Sequence, residues 1–132
     1  SLDDLGLIPT LKKYINKFKK QTNLEVSLQV RGQRQSLPSS HEVTIFRLVQ
    51  EALNNIQKHS GADRARVMLK NYKKIVKLII EDNGKGIKMS KTAGNGLKNM
   101  ETRAVQNNGS FDIISEKEEG TTIKIEFKKI SS

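Results

Sequence analysis

The chain has 132 residues, room for one domain with its own core. It carries 24 Lys and Arg against 14 Asp and Glu, a net charge of +10, with no cysteine and no tryptophan. These numbers exclude disulfides and thiolate metal sites, and no apolar run reaches the roughly 20 residues that span a bilayer. With four Phe and two Tyr, the core has to be built from Leu, Ile and Val. The charge suggests an anionic partner: nucleic acid, a membrane surface or a phosphorylated ligand. The basic residues are dispersed, however. Lys12, Lys13, Lys17, Lys19 and Lys20 share one stretch, Lys70, Lys73, Lys74 and Lys77 surround a turn, and Lys128 and Lys129 lie at the end. That spread suits solvated faces better than a nucleic-acid groove. The lack of cysteine permits a cytoplasmic setting, no signal-peptide pattern opens the chain, and Ser1, which is not a natural start, is expected of a piece excised from a longer protein.

In chain order, Pro9 suits the first turn of a helix running to about Lys20. Leu24, Val26, Leu28 and Val30 alternate with polar residues, the period of a half-buried strand. Ser39 and Glu42 have capping-box spacing at the start of a second helix, which runs to about Lys58 and stops at Gly61. Segments 64–72 and 75–81 read as a hairpin around Lys73-Lys74. A loop rich in Gly and Lys follows from Asp82 to Asn95, then a third helix from about Gly96 to Gln106 that ends near Gly109. Segments 110–115 and 121–127 form a last hairpin. This order predicts one α/β domain over residues 1–132, a two-layer sandwich whose mixed sheet is covered on one face by three helices.

Four stretches can carry chemistry. On the second helix, Phe46, Val49, Leu53 and Ile56 form the expected core stripe, and Glu51, Asn55 and Lys58 fall opposite, within roughly 60° of arc. A carboxylate, an amide and an ammonium on one stripe suit a metal-phosphate site. Asn55 and Glu51 can hold Mg²⁺ or its waters, Glu51 can act as a base, and Lys58 can pair with phosphate. A solvated helix face explains the same residues without chemistry. Asp82-Asn83-Gly84-Lys85-Gly86 follows a strand, where an Asp can accept a hydrogen bond from an exocyclic amine; an ordinary Asn-Gly turn is the alternative. Gly94-Asn95-Gly96-Leu97 opens a helix, whose N-terminal N–H groups bind phosphate readily. Gly120-Thr121-Thr122 enters the last strand and offers hydroxyls near a base. His41 reads as surface or packing, and His59, at a helix C-terminus, can reach a phosphate.

Together, in this order, the motifs resemble the nucleotide-binding boxes of sensor histidine kinases. Residues 51–59 resemble the N box, 82–86 the G1 box, 94–97 the G2 box, and 120–122 the Gly-Thr element. The resemblance extends to the start, Ser1-Leu2-Asp3-Asp4-Leu5-Gly6-Leu7-Ile8-Pro9, and to a subfamily paired with response regulators that carry helix-turn-helix heads. It implies the Bergerat fold, which type II topoisomerases also use, with ATP and Mg²⁺ as ligands. It places Mg²⁺ on Asn55 with Glu51 nearby, and the adenine amine on Asp82. Gly84, Gly86 and Ile87 would line the base, and Lys58, His59, Gly94, Gly96 and Leu97 the phosphates. Thr122 would support the base, with Thr121 nearly equivalent. The resemblance further implies a dimerisation and phosphoacceptor-histidine domain outside this sequence, a cognate response regulator, no direct nucleic acid, and a monomeric fragment. The parent would be a kinase anchored in the cell membrane with this domain facing the cytoplasm. One departure is Met100-Glu101-Thr102-Arg103, where Thr102 replaces the glutamate common in the subfamily.

Overall fold

A computed structural model describes residues 6–32, 37, 39–85, 94–116 and 119–129. The elements are α1 (Leu7–Gln21), β1 (Glu25–Gly32), α2 (Ser39–Asn55) continued by a π-helical turn (Ile56–Ser60), β2 (Arg64–Asn71), β3 (Ile75–Asp82), α3 (Gly94–Gln106), β4 (Gly109–Glu116) and β5 (Gly120–Lys128). The sheet order is β1-β2-β3-β5-β4. β1 runs parallel to β2, as a helical crossover requires, and the remaining pairs are antiparallel. The expected mixed sheet and two-layer α/β sandwich are both present. Among the described residues, no helix is long and apolar enough to cross a membrane.

Strand alternation sorts the sheet into two faces. The row Leu28–Val67–Ile80–Ile123–Ile113 and the row Leu69–Leu78–Ile125 carry the side chains turned to the helices. Val67, Leu69, Leu78, Ile80, Ile123 and Ile125 are buried there. Each such side chain contributes about 1.5–3 kcal/mol when fully withdrawn from water. The intervening rows, such as Gln29–Met68–Ile79–Lys124–Asp112, face outward.

α1 buries Leu7, Leu11, Ile15 and Phe18, a stripe at helical spacing. Its N-cap is Gly6, which has no side chain to satisfy the first N–H groups. Glu42 of α2 does this instead: its Oε2 accepts from Leu7 N at 3.2 Å. The glutamate expected to act in a capping box of its own helix therefore reaches the start of another. In α2 the buried residues are His41, Thr44, Ile45, Leu48, Val49, Ala52 and Leu53. Of the expected stripe, Val49, Leu53 and Ile56 are buried, and Phe46 is half-buried at the seam with α1, edge-on to Tyr14 at 5.6 Å. His41 is buried, its ring 5.3 Å from that of Phe127.

Two ends differ in kind from expectation. α2 does not continue as an α-helix to Lys58; from Ile56 its turn widens to the π form and closes on left-handed Gly61 (φ 67°). After α3, the left-handed residue is Asn108 (φ 63°), not Gly109. Gly109 is needed for space, because a Cβ there would lie 2.7 Å from the Phe127 ring and 2.8 Å from the Ala104 carbonyl oxygen.

Candidate functional site

The end of β3 brings the candidate residues together. Asp82 closes β3 in the row Val26–Ala65–Asp82–Thr121–Ser115, which points to the helix-covered side. Gly84 N donates to Asp82 Oδ1 at 2.8 Å. Burial pushes the Asp82 carboxyl above its usual range, and the backbone N–H groups of Gly84 and Thr121 pull it part of the way back. A half-sheltered carboxylate on an otherwise apolar face is costly unless a donor meets it.

Thr121 lies directly opposite Asp82 and is buried, its hydroxyl 3.0 Å from that of Ser115. Thr122 pairs with Glu81 and belongs to the outward face. Of the two threonines, Thr121 is the one beside Asp82. Gly120 makes this approach possible. It has φ +91°, and a Cβ there would lie 2.0 Å from the Asp82 carbonyl oxygen.

Asn83 is more than a turn residue. Its Oδ1 accepts from Asp63 N and Arg64 N at 3.2 and 3.0 Å, and its Nδ2 donates to Asp63 Oδ1 at 2.7 Å. It ties the end of β3 to the loop leaving α2. The signal for this was in the sequence, since an Asn side chain readily bonds nearby backbone, but its partners lie 19 and 20 residues away. The Lys85 stem lies over Gly61, 3.4 Å from where a Cβ would stand, a second contact between this loop and the end of α2.

On α2, Glu51 and Asn55 are partly buried, one turn apart, and Lys58 and His59 are exposed on the π turn. The angular relation expected of an α-helix holds from Glu51 to Asn55 and is altered before Lys58. Glu51 Oε1 accepts from Arg103 Nη2 at 2.8 Å, an ion pair that joins α2 to α3. Arg103 is a site neighbour that the sequence did not single out. Glu51 Oε2 is buried without a hydrogen-bond partner. That orphaned acceptor, with the Asn55 amide one turn on, fits a hydrated divalent cation bound mainly by phosphate oxygens. Among the described residues no three His, Cys, Asp or Glu side chains converge on a point, so the protein alone does not form a metal cage.

α3 begins at Gly94, so Gly94 and Gly96 lie within its first turn rather than before it. Their own N–H groups are then among the unpaired donors of the helix start. Leu97, Met100 and Ala104 are buried in the core, as expected. Gly86 and Ile87, and the expected lid between Gly86 and Gly94, lie outside the described residues. A depression of about 1050 Å³ opens at this end of the sheet and reaches Asp82, but Lys19, Glu25, Ser27, Arg64, Arg66 and Glu119 line most of it. Asn55 does not line it. Its charged wall belongs largely to the outward face, whereas Asp82 and Thr121 lie in a row turned to the helices.

Residues 40–131 match the family model described as histidine kinase-, DNA gyrase B-, and HSP90-like ATPase. The chain is 40% identical over 127 residues to the signal transduction histidine-protein kinase/phosphatase DegS of Brevibacillus brevis, covering 95% of this chain and 33% of that protein. It is 34% identical over 125 residues to the sensor histidine kinase LnrJ of Bacillus subtilis, covering 95% and 31%. The chain thus spans about a third of the length of these relatives. Among solved structures, the Acinetobacter baumannii histidine kinase AdeS matches with a TM-score of 0.73 at 16% identity, over 95% of this chain and 64% of that one. That likeness is one of fold.

Proposed function

The chain belongs to the histidine kinase-, DNA gyrase B-, and HSP90-like ATPase family, and from that premise we propose that it is the ATP-binding catalytic domain of a two-component sensor histidine kinase. The observation that carries the reading is the pairing of Asp82 with Thr121 on the helix-covered face at the end of β3. Asp82 accepts the exocyclic amine of adenine there, and a base without that donor leaves the carboxylate unmatched. Thr121 sits beside the base. The phosphates extend toward Lys58, His59 and the start of α3, where Gly94, Gly96 and Leu97 present backbone N–H groups.

Asn55 would hold Mg²⁺ and Glu51 would order its water; the cation would supply positive charge to offset that of the phosphate oxygens. The domain positions ATP, and positioning with electrostatic stabilisation is most of what phosphoryl transfer requires of a protein. The γ-phosphate passes to a histidine on a dimerisation domain outside this sequence, then to an aspartate of the cognate response regulator. The parent functions at the cytoplasmic side, and the isolated domain binds ATP without phosphorylating itself.

Calorimetric titration of Mg·ATP tests the reading. Saturable binding is expected, weakened about 10- to 100-fold by Asp82→Asn in a chain that still melts cooperatively. Absence of binding by the native chain overturns it. A serine-directed kinase of the same family is separated by the product: phosphohistidine is acid-labile and phosphoserine is not.

A further inference from the structure

Among the described residues, no element covers the outward face of the sheet, and its charges are unevenly mixed. At the Asp82 end of the sheet, Glu25 faces Arg64 and Glu81 faces Arg66, while Glu116 stands opposite Gly120. Asp112 faces Lys124. Beside the β2–β3 turn the pattern changes. Arg31, Lys70 and Lys77 stand next to one another in a single row across β1, β2 and β3. Lys128 lies in the adjoining row opposite Ile75, and Lys73 and Lys74 form the exposed turn. Those two rows hold one carboxylate, Glu126, opposite Lys77. Like charges directly opposite on neighbouring strands destabilise a sheet. Solvation alone would be served equally well by the alternating signs at the other end.

Tyr72 lies on the same face by alternation from Lys70 and is 41% exposed. Half-buried Ile75 stands across the turn from it. The pole is therefore an aromatic and apolar spot ringed by cations.

We infer that this pole of the outward face docks on the anionic headgroups of a membrane leaflet. Five of its six cations are lysines, compact point charges rather than the planar forks that read a particular phosphate or carboxylate. Tyr72 is its one aromatic ring, too little for the stacked platform of a single-strand binder. The depression of about 1050 Å³ lies at the opposite end of the sheet, so the pole is not part of it. Spread-out lysines around a tyrosine suit a laterally continuous negative surface, where the ring sits at headgroup depth. Ile75 and Asp82 are the two ends of β3, roughly 23 Å apart at strand rise. Docking therefore leaves the nucleotide mouth away from the lipid. This inference does not depend on the nucleotide reading.

Sedimentation with lipid vesicles tests it. The chain is expected to pellet with vesicles containing phosphatidylglycerol, to ignore pure phosphatidylcholine, and to lose binding as salt rises. Lys73→Gln with Lys74→Gln removes two exposed turn charges and should lower partitioning roughly thirtyfold, near fivefold per lysine. Lys12→Gln with Lys13→Gln removes the same charge from exposed positions on α1 and should leave most of the binding. Equal loss in both pairs would reduce the effect to net charge and overturn the docking surface. So would failure to bind acidic vesicles. Displacement from vesicles by stoichiometric duplex DNA or polyglutamate would reassign the surface to an acidic macromolecule. Cooperative melting of both variants confirms that they are folded.

Discussion

Arg103 of α3 donates to Glu51 of α2 at 2.8 Å, across 52 positions of sequence. The side chains are 38% and 29% exposed, so solvent screens the pair. Its place matters more than its strength, because α2 carries Asn55 and α3 begins with the glycines of the expected phosphate turn. A double-mutant cycle of Glu51→Gln and Arg103→Met is expected to give a coupling of about 0.5 kcal/mol by urea unfolding. A cycle that closes to zero would mean that the two helices are held by Leu97, Met100 and their apolar neighbours alone.

Asp82 should set a pH dependence. Its folded pKa lies above its unfolded value because burial disfavours the charge. The folded chain thus binds this proton more firmly than the unfolded one. The favourable contribution is present in acid and is lost as pH rises from the unfolded to the folded pKa. Asp82→Asn should therefore melt higher than the native chain at neutral pH, with the gap closing in acid, even as ATP affinity falls. Melting curves at the two pH values decide it; a variant less stable at neutral pH would contradict the assigned cause.

The two adjacent threonines separate by face. Thr121→Val removes a buried hydroxyl that meets Ser115 and stands beside Asp82. It should weaken Mg·ATP binding about 3- to 10-fold. Thr122→Val alters the outward face and should leave the dissociation constant unchanged. Calorimetry on both variants reads the difference, and the reverse pattern would place the nucleotide on the wrong side of the sheet.

Two left-handed glycines should respond differently to a methyl group. At Gly120 a Cβ meets the Asp82 carbonyl oxygen at 2.0 Å, which neither backbone can relieve without parting β3 from β5. Gly120→Ala is expected to cost more than about 3 kcal/mol. At Gly61 the new methyl meets only the flexible Lys85 stem at 3.4 Å. Gly61→Ala should cost about 1 kcal/mol, the penalty of the left-handed backbone itself. Chemical denaturation of the two variants ranks them.

His41 buries Nδ1 with no hydrogen-bond partner. An unmatched polar atom in the core is a standing cost. His41→Leu keeps an apolar contact with Phe127 and is expected to raise stability by up to about 1 kcal/mol. A fall of more than that in thermal melting would show that the ring is doing something beyond packing.

The order of helices and strands was legible in the sequence because each signal lies within a short window. Leu24 to Val30 alternates, residues 73 and 74 interrupt two apolar runs, and Gly61 and Gly120 sit where the backbone turns left-handed. The candidate site was legible to the same depth: Asn55, Asp82 and the glycines were marked by local pattern and by resemblance. What the tertiary structure alone decided involves pairs far apart in the chain. Register across β3 and β5 set Thr121, and not Thr122, beside Asp82, since a shift of one residue turns a side chain to the other face. Packing of α1 on α2 gave Glu42 the Leu7 N–H, and packing of α3 on α2 gave Glu51 its arginine. Lateral pairing of three strands gathered Arg31, Lys70 and Lys77 into one row, although in sequence they read as dispersed surface charge. Periodicity is a property of one segment, whereas partners are chosen only when segments meet.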